Sequence, residues 1–478
     1  MHPLARLDQQ FVWHPFTQMR DWLRREPIVI VSGRGAVLRD AHGREYLDAN
    51  ASIWTNLHGH QHPVLNQALE RQLKKIAHSS ALGLANEPAA RLAARLVDAA
   101  RQRPRPRGQP ELAKVFYSDD GSTAMEAALK MAYEYARRTA PGRRPRFLSL
   151  GGAYHGDTIG AVSLGHIDLF HRRFRGLLFK SDQVMAPYCY RCRFNRAQPE
   201  RADAREYRQC RWECLRVLED RFAQARRRGR PYSAFVFEPV MQGAAGLIPQ
   251  PVGWLRQAAA IARAHGALLV ADEVMTGFGR VTDAPPAGQS RRAASLLACH
   301  QEGVQPDLLA LAKGLTGGYL PMAATLVTRA VFEVFLGRYE EFKTFFHGHS
   351  YTGNQLGAAV ALASLDLLQK PAGLAARRRL QRALREQLAT LWDSPRVGDI
   401  RQCGLVAGIE LVRDWRTRQP YEWREQAGAR VAAEMARLGV LTRPIGNVVV
   451  IMPPYCATAE QVGRIIAALR ESIRRQLS

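Results

Sequence analysis

Lysine is scarce in this sequence: of its 68 lysines and arginines only eight are lysines. One of the eight, Lys313, stands directly behind the apolar run DLLALA and ahead of two glycine-bearing steps in AKGLTGG. An amine can be deprotonated and can attack a carbonyl, which a guanidinium cannot. Carboxylates close other apolar runs, with ALLVADEV reaching Asp272 and Glu273 and AFVFEPV reaching Glu238 ahead of Gln242. In YSDDGSTAMEAALKM, Gly121 and Ser122 fall between a strand pattern and a helix pattern. Backbone N–H groups and the positive end of a helix dipole would there point at one spot, which suits a phosphate. Tyr154, in GGAYHGDTIGAVS, follows a further apolar run and offers a ring that could lie flat on a bound planar group.

A lysine, an aspartate and a phosphate cradle at one crevice are what pyridoxal 5'-phosphate demands. The lysine captures its aldehyde and the carboxylate keeps its ring nitrogen protonated. Each residue taken alone has a plainer reading. Lys313 could be an ordinary strand-end lysine, Asp272 a cap, Thr123 with Glu126 a capping box, and Tyr154 a packing residue. Other phosphate motifs are absent: no Gly-Lys pair exists for a P-loop, and GRGAVL lacks the third glycine of a dinucleotide fold.

Parallel strands bring such residues together, because ligands collect at their carboxyl ends. Short apolar runs recur at 114–118, 146–150, 234–240, 267–274, 307–312 and 322–327, mostly separated by segments long enough for a helix. That alternation predicts an α/β fold, a mostly parallel sheet with helices on both faces. After about residue 350 the texture changes. Two amphipathic helical stretches, 355–390 and 424–438, flank the strand candidates VAGIEL and VVVIMPP, so a smaller C-terminal α+β domain is expected. The expected division is an N-terminal segment, 1–60, packing with the small domain, a large cofactor-binding domain, 61–345, and the small domain, 346–478.

With 478 residues and 46% hydrophobic content the chain can bury a large core. The net charge of +25 raises nucleic-acid binding as the non-enzyme alternative. Its runs RQRPRPRG and RRRGRP carry no interleaved aromatic platform, so no nucleic-acid partner is expected. No membrane span or export signal is read, and a cytoplasmic protein is expected. Seven cysteines argue against a disulfide framework. Cys189, Cys192, Cys210 and Cys214 have a spacing that approaches a four-thiolate zinc site. No metal is nevertheless assigned, since the chemistry above asks for none.

WHPFTQM, YSDDGSTAMEAALKMA, YHGDTIGAVS, EPVMQGAAG, ADEVMTGFGR, AKGLTGGYLP, FFHGHSYTGNQLG and LTRPIGNVVVIMPP run in this order along nearly the whole chain. Together they resemble the class III aminotransferases of fold type I, which depend on pyridoxal phosphate. Within that family the chain is most similar to members that convert 8-amino-7-oxononanoate to 7,8-diaminononanoate in biotin biosynthesis. The resemblance implies Lys313 as the Schiff-base lysine, Asp272 as partner of the ring nitrogen and Tyr154 as the stacking residue. It implies Gly121 and Ser122 as phosphate ligands. His349 and Ser350 would reach the phosphate of the neighbouring subunit, with Gly348 near substrate, which implies a homodimer with active sites at the subunit interface. Arg443 would clamp the substrate carboxylate, and Ile53 would line the substrate site.

Members that use S-adenosylmethionine as amino donor carry aromatic residues where this chain has Phe16, Ile53 and Val450, with Tyr replaced by Phe at the first. The chain instead resembles the branch associated with L-lysine, so lysine is the expected donor. Another class III transaminase, acting on an ω-amino acid or a diamine, is the alternative. The stretch VTDAPPAGQSRR after Arg280 is expected to be a surface insertion.

Overall fold

The computed structural model describes residues 1–102, 108–282 and 295–477. The six apolar runs form the strands Leu112–Ser118, Phe147–Leu150, Ala234–Phe237, Leu268–Asp272, Leu308–Leu311 and Ala323–Thr328. All but the first are buried over nearly their whole length, the pattern of strands covered on both faces. A seventh strand, Asp182–Val184, is too short and too polar to stand out in the sequence.

The strands lie in the order Leu112–Ser118, Ala323–Thr328, Leu308–Leu311, Leu268–Asp272, Ala234–Phe237, Phe147–Leu150, Asp182–Val184. Ala323–Thr328 runs antiparallel to both neighbours, and the remaining pairs are parallel. Its connection to Leu308–Leu311 is residues 312–322, which hold no crossover α-helix, so the chain returns antiparallel. Period-two alternation divides the sheet. Val236, Val270, Leu308 and Ala310 pack with the alanine-rich face of helix Gly121–Thr139, whereas Phe235, Leu269, Ala271 and Leu309 pack with helix Trp254–Ala264.

The C-terminal part has its own core around an antiparallel sheet of Val397–Cys403, Val406–Leu411 and Val448–Ile451. The expected helix over 355–390 is two helices, Gln355–Gln369 and Pro371–Ala389. Pro371 is the cause: it biases Lys370 to extended backbone (φ −62°, ψ 133°) and itself serves as the first residue of the second helix. In the N-terminal segment, Glu45–Asp48 pairs in parallel with Val440–Leu441.

Two fully buried arginines tie these parts to the crevice at the strand ends. Arg280 donates to the carbonyls of Asn56 (2.7 Å) and Pro453 (2.9 Å). Arg401 donates to Gly246 (2.6 Å) and pairs with Asp399 (2.9 Å) and Glu410 (2.6 Å). The insertion after Arg280, beyond Val281 and Thr282, and the centre of RQRPRPRG lie outside the described residues. Among the described residues no helix is long and apolar enough to cross a membrane.

Candidate active site

A cavity of about 440 Å³ opens at the carboxyl ends of the parallel strands. Leu308–Leu311 delivers Lys313, Leu268–Asp272 ends in Asp272, and Ala234–Phe237 delivers Glu238. Gly121, Ser122, Tyr154 and His155 also line it, together with Thr55, Asp119, Asp120, Tyr319 and the ring of Trp54. Lys313, Asp272, Tyr154, Gly121 and Ser122, far apart in the chain, are thus brought together.

Lys313 has φ +37°, a left-handed backbone that non-glycine residues rarely adopt and that clusters at functional sites. Its Nζ lies 5.2 Å from the centre of the Trp54 ring. Burial pulls its pKa below the ordinary lysine value against the opposing charges of Asp272 and Glu238. Asp272 accepts from His155 Nδ1 at 2.8 Å and from the Val274 N–H at 3.0 Å. Burial disfavours the His155 imidazolium, yet the bond and charge of Asp272 outweigh it and raise the pKa. The other ring nitrogen of His155, Nε2, is buried without a partner among the described residues. Tyr154 donates to Asp157 at 2.7 Å and its ring lies nearly parallel to that of His171 (9°).

The expected capping box of Thr123 and Glu126 is displaced by one helical turn. Asp120 is the N-cap: its carboxylate accepts from the Thr123 N–H, and its own N–H donates to Thr123 Oγ1, each at 2.9 Å. Glu126 instead accepts from the N–H groups of Gly160 (2.6 Å) and Ala161 (3.1 Å), pinning the next segment of the wall. The first-turn N–H groups of Gly121 and Ser122 therefore keep no acceptor within the helix. Space around them is tight. A Cβ at Gly121 would come within 2.7 Å of Val274, and one at Gly156 within 2.0 Å of Ser122 Oγ. This backbone cradle, the unpartnered His155 Nε2 and the buried amine fit pyridoxal 5'-phosphate, and Gly121, Ser122, Asp272 and Lys313 are the residues able to hold it.

Trp54 owes its place to a turn whose residues Ala51, Ser52, Ile53 and Trp54 all have φ between +43° and +70°. Left-handed backbone costs about 1–2 kcal/mol per residue, so the turn needs anchors. Asp48 accepts from the N–H (2.9 Å) and hydroxyl (2.8 Å) of Ser52, and Asn50 accepts from the Trp54 indole (2.8 Å). Ile53 is exposed and does not line the cavity. Arg443 also lies outside the lining; it is exposed and donates to the Phe16 carbonyl (2.9 Å). The Phe16 ring packs edge-on against Phe170, which packs edge-on against Tyr154. Val450 is fully buried in an apolar cluster with Met275.

Gly348, His349 and Ser350 likewise do not line the cavity of their own chain. His349 Nδ1 lies 3.5 Å from Asp119 at the rim, and the Ser350 carbonyl accepts from His78. Glu273 is turned away, accepting from the N–H groups of Ala298 (2.7 Å) and Cys299 (2.8 Å). Trp54 and His155 were not among the expected site residues, and Glu238 was expected only as a strand-end carboxylate with no role given to it. His155 had a signal in its adjacency to Tyr154, and Glu238 in its strand-end position; Trp54 had none. The four clustered cysteines are free thiols, and among the described residues no three or more metal-ligating side chains form a metal site.

Burial, reinforced by the charge of Asp272, raises the Glu238 pKa from 4.5 to about 7 despite the opposing His155 and two backbone N–H groups. The folded chain holds this proton where the unfolded chain has lost it. The stability it lends is therefore complete below pH 4.5 and lost as pH rises through 7. Glu238→Gln should remove that slope, so its stability relative to the parent should rise between pH 5 and pH 8. Denaturant unfolding of both proteins at pH 5 and pH 8 checks this.

The chain belongs to the aminotransferase class III family, whose model matches residues 19–473. An adenosylmethionine-8-amino-7-oxononanoate aminotransferase from Geobacter sulfurreducens is 46% identical over 98% of this chain and 96% of the relative. The enzyme of the same name from Nitratidesulfovibrio vulgaris is 47% identical over 98% of this chain and 81% of its own. Among solved structures, the Methanocaldococcus jannaschii enzyme of that name superposes with a TM-score of 0.86 at 36% identity over 99% of both chains. An amine transaminase from an uncultivated Pseudomonas species, solved in its PLP-bound form, superposes at 0.85 and 32% identity, covering 98% of this chain and 99% of its own.

Proposed function

We propose that this aminotransferase uses pyridoxal 5'-phosphate to move an amino group onto 8-amino-7-oxononanoate, yielding 7,8-diaminononanoate for biotin synthesis. The observation that carries this reading is the convergence of Lys313, Asp272 and the Gly121–Ser122 cradle in one cavity, in a chain that shares 46% identity with an enzyme named for that substrate. When bound, the cofactor supplies an aldehyde that captures amines and a protonated ring that accepts electrons.

The chain's own residues do the rest. The Gly121 and Ser122 N–H groups bind the phosphate at the positive end of helix Gly121–Thr139. Asp272 would hold the proton of the cofactor's ring nitrogen, and His155 fixes the orientation of Asp272 through the Nδ1 bond. Tyr154, held by Asp157, would support the cofactor's ring. Lys313 Nζ is the amine that would hold the cofactor's aldehyde, and burial, by lowering its pKa against the charges of Asp272 and Glu238, would favour its use as the base that moves a proton from the donor carbon. Trp54 and Met275 keep water from the amine. Arg443, braced by the Phe16 carbonyl outside the cavity lining, is the residue proposed to bind the substrate carboxylate, and Ile53 is proposed to contact the substrate.

A homodimer is the proposed working unit. Gly348, His349 and Ser350 stand outside their own cavity, which supports their use by a partner subunit. The large and C-terminal regions have separate cores, but Ala358, Ala361, Leu365 and Leu368 of helix Gln355–Gln369 lie in the large core, which supports a division at Lys370, between the two helices, rather than the expected one at residue 345.

L-Lysine is the proposed donor, since Phe16, Ile53 and Val450 offer no tyrosine hydroxyl or second large ring to hold an adenosyl group. The relatives' names favour S-adenosylmethionine instead. Purified enzyme given the oxo acid and each donor separately should form diamine with lysine. Turnover with S-adenosylmethionine alone would reverse the donor assignment, and activity only with other ω-amino acids or diamines would reverse the substrate as well.

A further inference from the structure

We propose that a second cavity, at the opposite edge of the large sheet from Lys313, binds a polyphosphate group, carried by a nucleotide or free. The cavity measures about 760 Å³, within the range of small-molecule sites. Arg146 and Phe147 stand at the start of Phe147–Leu150, Asp182 begins Asp182–Val184, and Tyr232 precedes Ala234–Phe237. The cavity therefore lies at the amino ends of strands whose carboxyl ends build the candidate active site, and the two share no lining residue.

Its charge is one-sided. Lys130, Arg144, Lys180, Arg221, Arg228 and Arg230 line it, and among the described residues none of these six is ion-paired with a carboxylate. The two acidic side chains in the lining are already committed, Asp182 to Arg146 and Glu134 to Arg138 (3.1 Å). Arg146 is locked from several sides, since it also donates to the Arg230 carbonyl (2.5 Å) and stacks 4.7 Å above the Tyr232 ring. Six cations around one concavity repel each other, and a concave wall focuses their field on whatever anion enters.

A monoanion would leave most of that charge unmatched. A group bearing three or four negative charges and many acceptor oxygens suits several guanidinium forks at once. Tyr133 and Phe179 add apolar wall against which a base could lie. The cavity is open to solvent on one side, with Lys130, Arg144, Lys180, Arg228 and Arg230 exposed around it, and a concavity of this size fits a compact ligand better than a duplex, which needs a continuous positive track.

The test is calorimetric titration of the cofactor-loaded enzyme with ATP, inorganic triphosphate and adenosine, repeated on the triple variant Arg144→Ala/Arg228→Ala/Arg230→Ala. ATP and triphosphate should bind saturably, one per chain, and adenosine should not. Each lost charge-assisted contact is worth about tenfold, so the triple variant should bind at least about a hundredfold more weakly with transamination unchanged. Lys180→Glu provides an independent variant, expected to weaken binding about tenfold, should the triple variant fold poorly. ATP binding tighter than triphosphate identifies a nucleotide, and equal binding identifies free polyphosphate. No saturable binding of either, undiminished binding by both variants, or retention of duplex DNA alone would overturn the proposal.

Discussion

Lys313→Ala is expected to lower turnover by about 10⁴-fold or more while leaving the cofactor able to bind. The two outcomes separate because the binding contacts and the amine come from different elements. Gly121 and Ser122 open a helix whose cap, Asp120 with Thr123, does not involve residue 313. Asp272 and His155 hold each other at 2.8 Å, again without it. The variant therefore keeps its cradle and loses the one group that can attach to the aldehyde and carry the proton. Cutting the side chain back also relieves the cost of burying an amine, so thermal stability should not fall. Single-turnover assays measure the loss of chemistry, and spectrophotometric titration measures retained cofactor. Borohydride reduction followed by peptide mapping gives a second check: the parent should be labelled at Lys313, and the variant at no residue. Labelling of any other amine in the parent would remove the assignment.

Asp272→Asn is expected to cost about 10²–10³-fold in kcat, the size of effect found when one preorganised electrostatic partner is withdrawn from developing charge. Asparagine has nearly the same shape and can still accept from the Val274 N–H, so the wall of the cavity should survive. What it lacks is the negative charge that favours a protonated ring nitrogen. The same charge raises the His155 pKa against burial, so in the variant that pKa should fall and His155 should stay neutral over the working pH range. Imidazole titration by NMR reads this directly. A residue that merely shaped the cavity would show the loss of rate without the change in His155. An unchanged His155 titration, or a kcat within threefold of the parent, would contradict the role given to Asp272.

Gly121, Glu238, Asp272, Glu273 and Lys313 were legible at strand ends in advance because strand patterns are local. A short apolar run bounded by turn signals and helix-length segments is too short for a helix and is read as a buried strand, and the residue after it is then at a strand end. Lys313, Asp272 and Glu238 could all be located in this way. The break at Pro371 was also written locally, yet a continuous apolar stripe across 355–390 concealed it. Helix caps proved finer still: Thr123 and Glu126 have the spacing of a box, but Asp120 can reach the same first-turn N–H groups, and only the backbone path into the helix decides between them.

From the chain alone came the element types, the strand-end chemistry and the likeness to a family, since each depends on neighbours in sequence or on motif order. Strand order, and with it the meeting of residues 155, 238, 272 and 313 in one cavity, was decided by tertiary packing. So were the left-handed turn that carries Trp54 to the amine, the position of Arg443 outside the cavity against Phe16, and the gathering of six cations from four segments at the far edge. These depend on contacts between residues remote in the chain, which no local pattern of side chains encodes.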